Sequence, residues 1–168
     1  MARNIEIKAR IASVASLTGR AAALADSGPV EILQDDTFFN CPSGRLKLRT
    51  FPNNTGELIF YRRSDERGPK QSFYVRTPTT DPDSLRETLS LAYGAIGRVR
   101  KHRTLYIAGR TRIHLDVVEN LGDFLELEVV LQDDESLDAG TREAEDLMRR
   151  LGVDPSQLID RAYLDLLA

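Results

Sequence analysis

Glu126 and Glu128 stand two residues apart in FLELEVVL, a run from Phe124 to Leu131 in which charge and leucine alternate. In an extended strand that spacing puts both carboxylates on one face and the leucines on the other. Two carboxylates on a rigid support can aim at one magnesium or manganese ion, which takes oxygen ligands and commonly bridges carboxylates to substrate phosphates. The same alternation recurs with opposite sign. Asn4, Glu6, Lys8 and Arg10 share a face of NIEIKARI, Arg45, Lys47 and Arg49 share one in RLKLR, and Lys101 and Arg103 share one in RKHRTLYI.

A single charged strand face ordinarily means a wetted outer surface, since antiparallel sheets commonly expose one side to water. Recurrence argues otherwise here: cations dominate several strands, and the acids concentrate at Glu6, Asp116, Glu126 and Glu128. Turned inward together, these faces would enclose a cationic hole containing acids. Burying that many cations requires water, acids or a bound anion as compensation. A polyphosphate fits the need. Arginine forks bind phosphate oxygens in pairs while lysine acts as a point charge, which makes Arg45, Lys47, Arg49, Arg62, Lys101 and Arg103 suitable clamps.

Other polar residues carry less. Arg112 and Asp116 share parity in RIHLDVV with His114 between them. With no second histidine at ligand spacing, His114 reads as a polar lining residue rather than a metal ligand. His102 alternates away from Lys101 and Arg103 and is expected to face outward. Cys41, beside Pro42 in a turn, has no neighbouring base and cannot form a disulfide within the chain, and no glycine-rich phosphate loop occurs.

The positioning elements follow from periodicity and punctuation. Strands are expected at Asn4–Ile11, Val30–Phe39, Arg45–Thr50, Glu57–Arg63, Ser72–Arg76, Val99–Ala108, Arg112–Val118 and Phe124–Leu131. Ser13 can cap a helix that Ser27-Gly28-Pro29 stops, Asp81-Pro82 starts another, and Ser136 opens a third that closes at Gly152. Asp154-Pro155 is expected to start a last helix carrying Leu158, Ile159, Tyr163 and Leu166. The order suggests an α+β fold of two antiparallel halves with helices outside. At 168 residues, one domain spanning 1–168 is expected, without internal repeat or linker.

A formal net charge of −3 gives no global excess of cations, so neither a non-specific nucleic-acid partner nor a membrane surface is expected. The N-terminal MARNIEIK lacks a signal-peptide core and no apolar run reaches membrane-spanning length, so a soluble cytoplasmic protein is expected.

In this order, Glu6-Ile7-Lys8, Gly44 to Arg49, Lys101-His102-Arg103, Gly122 to Glu128 and Tyr163 to Leu167 form a signature over almost the whole chain. It resembles that of the CYTH superfamily, the triphosphate tunnel metalloenzymes that include class IV adenylyl cyclases and thiamine triphosphatases. The resemblance implies an eight-stranded antiparallel closed β-barrel whose bore holds a triphosphate. It implies that Lys8, Arg45, Lys47, Arg49, Arg62, Lys101, Arg103 and Arg112 hold phosphates, and that Glu6, Glu126 and Glu128 hold a divalent metal, magnesium or manganese. Lys8, Asp116 and Arg103 would be the catalytic residues.

GDFLELE and the Lys-x-Arg strand look more like the cyclase branch, so the expected function is conversion of ATP to cyclic AMP and pyrophosphate. A triphosphatase acting on tripolyphosphate, thiamine triphosphate or a nucleotide is the alternative, and a non-catalytic module binding a phosphorylated metabolite is the second. The family's opening pattern is Glu-x-Glu-x-Lys, and Asn4 stands here at its first glutamate, which would weaken a second metal more than the first. Barrels of this family can pair, so a homodimer is compatible with the resemblance. Phe38, Phe39 and Tyr61 could line a base pocket at the tunnel mouth, or simply pack in a core.

Overall fold

In a computed structural model describing residues 2–168, eight strands form one antiparallel sheet. They are β1 (Ala2–Arg10), β2 (Ser27–Phe39), β3 (Arg45–Thr50), β4 (Gly56–Arg63), β5 (Lys70–Thr79), β6 (Ala95–Ala108), β7 (Thr111–Val118) and β8 (Gly122–Leu131). Around the sheet they run β1-β5-β4-β3-β2-β6-β7-β8, and because β1 pairs with both β5 and β8 the ring closes. The two halves expected from chain order are therefore continuous. The ladder between β2 and β6, running from Ser27 against Ile107 to Phe39 against Ala95, joins them.

Apolar packing lies outside this ring. The outward residues of β1, β7 and β8, among them Ile5, Ile7, Ile113, Leu115, Leu125 and Leu127, are buried. They pack against helix α1 (Val14–Leu24), through Leu17 and Ala21, and helix α3 (Leu137–Arg150), through Ala144, Leu147 and Met148. Helix α2 (Pro82–Tyr93) covers Phe39 and Leu48 with Leu89. Fully burying one such side chain is worth about 1.5–3 kcal/mol, so these layers stabilise the fold while the bore remains free to be polar.

Local signals set most boundaries. Ser13 accepts from the Ser16 N–H and Asp81 from the Ser84 N–H, capping α1 and α2 as their side-chain chemistry favours. Gly152, at φ +75°, ends α3 in a backbone conformation that costs glycine little. Two expectations are corrected. Helix α1 stops at Leu24, and Ser27 to Pro29 already belong to β2.

The last helix does not start at Asp154-Pro155. That dipeptide makes only a 3-10 turn over Pro155–Gln157, closed by a reciprocal cap between Asp154 and Gln157. Leu158 is extended, bridges Ala9, and is followed by an Ile159 N–H to Lys8 carbonyl bond of 3.0 Å. The reason is backbone demand: the β5 ladder to β1 ends at Glu6, and the chain at Leu158 and Ile159 takes over the exposed edge beyond it. Helix α4 is then short, Tyr163–Leu167. No described helix is long and apolar enough to cross a membrane.

Candidate active site

Strand alternation aims one face of each strand into the ring, and the result is a cavity of about 490 Å³. Lys8, Lys47, Arg49, Lys101, Arg103 and Arg112 line it together with Glu6, Glu126 and Glu128. Side chains from β1, β3, β6, β7 and β8 thus share one space.

Two buried ion pairs organise the cations. Asp116, with no exposed surface, accepts both prongs of the Arg103 fork at 2.8 Å. Asp36 accepts from Arg49 at 2.8 and 2.9 Å, and Lys47 Nζ lies 3.0 Å from the same carboxylate. Burial opposes the charge on Asp36, yet the cations of Arg49 and Lys47 outweigh it and hold its carboxyl far below the usual range. Lys47 is pushed down to about 8 by burial, which Asp36 only partly offsets. Burial and the neighbouring Arg103 likewise push Lys101 well down.

Acids gather on the opposite wall. Glu6 sits directly across the ladder from Glu128, and Lys8 across from Glu126. Burial, then Glu128 and Glu126, push the Glu6 carboxyl upward against the pull of Arg63 and Lys8. Glu126 goes the other way: burial would raise it, but Lys8, 3.2 Å away, and Arg103, at 3.3 Å, help hold it well below the usual range.

Donor atoms of His114, Glu126 and Glu128 lie within 4.8 Å of one another. Asn4 Oδ1 and His114 Nδ1 are buried with no hydrogen-bond partner among the described residues. A carboxylate wall that repels its own members, flanked by an unsatisfied nitrogen donor, is a site a divalent cation fits.

A protein-family model, the CYTH domain, matches residues 2–163. The chain belongs to the CYTH domain family. Its relatives include adenylate cyclase CyaB of Aeromonas hydrophila, 28% identical over 174 residues that cover 96% of this chain and 87% of that one. A solved protein of Pyrococcus horikoshii superposes with a TM-score of 0.87 at 25% identity, covering 97% of this chain and 98% of its own. HpAC1 of Hippeastrum, an adenylyl cyclase candidate with a dominant triphosphatase activity, superposes at 0.67 with 17% identity, covering 98% of this chain and 93% of its own.

Within this CYTH ring three sequence expectations move. Arg62 is exposed and donates to the Ser43 carbonyl at 2.8 Å, while Arg63, one residue on, lines the cavity with Glu57, Ile59 and Tyr61. Arg45 is not on the cavity wall, because Asp165 of α4 takes its guanidinium in a fork of 2.6 and 3.2 Å. Asp116 is not on the wall either: its oxygens are spent on Arg103 and on the Tyr163 hydroxyl at 2.9 Å. Both of its oxygens are thus engaged within the protein.

Of the aromatics, Phe38 and Tyr61 line the cavity, whereas Phe39 points outward under α2. His102 faces out beside Glu31. Arg10 is exposed and lies over the Phe124 ring, 4.7 Å from its centroid to Cζ.

Sequence reasoning gave Asp36 and Arg63 no place in the site, and placed Tyr163 only on the last helix and in the terminal signature segment. The parity of Gln34, Asp36 and Phe38 could have found Asp36, but Asp35 beside it masks the alternation. Tyr163 packs on Phe124 and lies beneath two lysines, Lys8 Nζ at 3.9 Å and Lys101 Nζ at 5.0 Å from the ring centroid. Nothing local in the sequence marks that contact.

Proposed function

We propose that the ring is a triphosphate tunnel and that the protein is a metal-dependent enzyme acting on a triphosphate, in the first place a class IV-type adenylate cyclase. The observation that carries this is the meeting of Lys8, Lys47, Arg49, Lys101, Arg103 and Arg112 with Glu6, Glu126 and Glu128 in one cavity. A surface-solvated charge face has no reason to converge in this way. The likeness to CyaB supports the cyclase reading.

In this reading the cations receive the triphosphate in place of water, with Arg49 and Arg103 pre-aimed by Asp36 and Asp116. Lys8 sits between the two walls, touching Glu126 while stacking on Tyr163, and would follow charge as it builds on the phosphate. Arg63 and Arg112 extend the cationic lining. Glu6, Glu126 and Glu128 would hold the metal, which supplies Lewis-acid stabilisation of phosphate charge when bound. The ribose 3′-oxygen would form a bond to the α-phosphorus, losing its proton, as the bond to the bridging oxygen breaks and pyrophosphate leaves. Positioning and electrostatics supply most of the acceleration in such transfers.

A triphosphatase reading uses the same cavity with water attacking a terminal phosphorus, and the dominant activity of HpAC1 supports keeping it. Purified protein incubated with Mg²⁺ or Mn²⁺ and either ATP or tripolyphosphate, with products resolved by chromatography, separates the readings. Cyclic AMP with pyrophosphate supports the cyclase and orthophosphate the triphosphatase. Saturable binding with neither product leaves a non-catalytic binding module, and no binding at all removes the tunnel reading.

A further inference from the structure

The carboxylates account for a hard-cation site without explaining the nitrogen beside them. His114 is 4% exposed and keeps its Nδ1 without a hydrogen bond among the described residues. Isolated buried polar atoms of this kind are uncommon and costly. The His114 nitrogen lies 3.7 Å from Glu128 Oε1 and 3.9 Å from Glu126 Oε2. Those separations are too long for hydrogen bonds. They match two ligands sharing one ion, since atoms each about 2.1 Å from a common metal sit about 3–4.2 Å apart.

We propose that His114 is a nitrogen ligand of the metal held by Glu126 and Glu128, so that the site selects a transition-metal ion over magnesium. The inference rests on the reading that the cavity takes a divalent cation, and deepens it by assigning the donor set. Imidazole adds little for Mg²⁺, which prefers oxygen and keeps its waters, but it strengthens binding of first-row transition ions. The backbone supports the arrangement. His114 pairs with Glu126 across the β7–β8 ladder and Arg112 with Glu128, so histidine and both glutamates leave adjacent rungs on the same face.

Mn²⁺ and Mg²⁺ binding to the intact chain without nucleotide would be measured by calorimetry, with pulsed electron paramagnetic resonance on the Mn²⁺ complex. The expected result is ¹⁴N modulation from a directly bound imidazole in the unsubstituted protein, a readout independent of any variant's folding. His114→Gln should remove that modulation and weaken Mn²⁺ by about tenfold or more, while Mg²⁺ changes less than about threefold. Glu128→Gln should weaken both ions.

Absence of ¹⁴N modulation, or equal losses for both ions in His114→Gln, would overturn the proposal. If Glu128→Gln weakens both ions and His114→Gln neither, histidine ligation fails while the carboxylate metal site stands. If the unsubstituted protein binds neither ion, the proposal is overturned, and tripolyphosphate titration then judges the phosphate half of the tunnel reading separately.

Discussion

The Tyr163 hydroxyl donates to Asp116 at 2.9 Å on the carboxylate oxygen that also receives Arg103 Nη2. One buried carboxylate is therefore shared between a cavity cation and the C-terminal helix. Removing the hydroxyl in Tyr163→Phe leaves the ring under Lys8 and costs one charge-assisted hydrogen bond, about 1.5–3 kcal/mol. Asp116→Asn removes the bidentate counter-charge of buried Arg103, leaving it only Glu126 at 3.3 Å, and should cost more, about 3–5 kcal/mol. Urea unfolding of the two variants gives the comparison. Equal losses would mean that the charge of Asp116 is not what compensates Arg103.

Lys47 gives the pH response a defined window. Its folded value, about 8, lies below the ordinary lysine value of 10.5, so between these pH values the unfolded chain holds more protons at this group. This contribution to stability is therefore present above 10.5 and lost as pH falls through about 8. Tripolyphosphate binding runs the opposite way, because it needs the cation. Affinity should fall as pH rises through 8, with proton uptake on binding near pH 8–9, measurable by calorimetry in buffers of different ionisation enthalpy. Lys47→Met should reduce that uptake, leaving the share of Lys101, which burial also pushes down; uptake unchanged in the variant would assign all of it to other groups.

Neighbouring arginines on β4 give a positional test. Arg63 lines the cavity and keeps a buried Nε without a hydrogen bond among the described residues, whereas Arg62 is exposed and tied to Ser43. Arg63→Gln should weaken tripolyphosphate about tenfold or more, the worth of one charge-assisted contact. Arg62→Gln should change it less than about twofold. The reverse order in a titration would mean that β4 runs in the other register.

Asn4→Glu restores the family's first carboxylate. Glu6 is already pushed upward by its acidic neighbours, so a further carboxylate should lower the melting temperature of the metal-free protein. With Mn²⁺ present the variant should gain more stability than the unsubstituted chain, through about tenfold tighter binding, and turnover should rise. An unchanged metal-dependent shift and an unchanged rate would show that the neutral residue at this position limits neither.

Alternation made the walls of the cavity readable in advance where charge and leucine strictly alternate, as in Lys47–Arg49 and Leu125–Glu128. It failed where both faces are apolar or both charged. On β4, Leu58, Ile59 and Phe60 hide which arginine turns inward, and on β2 the pair Asp35-Asp36 hides the inward acid. Pairing between distant side chains was not legible at all: Arg45 with Asp165 and Asp116 with Tyr163 depend on where α4 docks. The closeness of His114 to Glu126 and Glu128 was not legible either, because those acids lie on the next strand and not at a fixed spacing along its own.

The closing strand of the ring is also the earliest of the eight to be synthesised. β1 waits for its first neighbour until β5 emerges and for its second until β8. During translation its two unsatisfied edges face the crowded cell, and an exposed hydrophobic edge there would recruit other nascent chains. The inward charges Glu6 and Lys8 keep this waiting strand amphiphilic, so the residues proposed to handle the guest would also make its unpaired edges less adhesive before the ring exists.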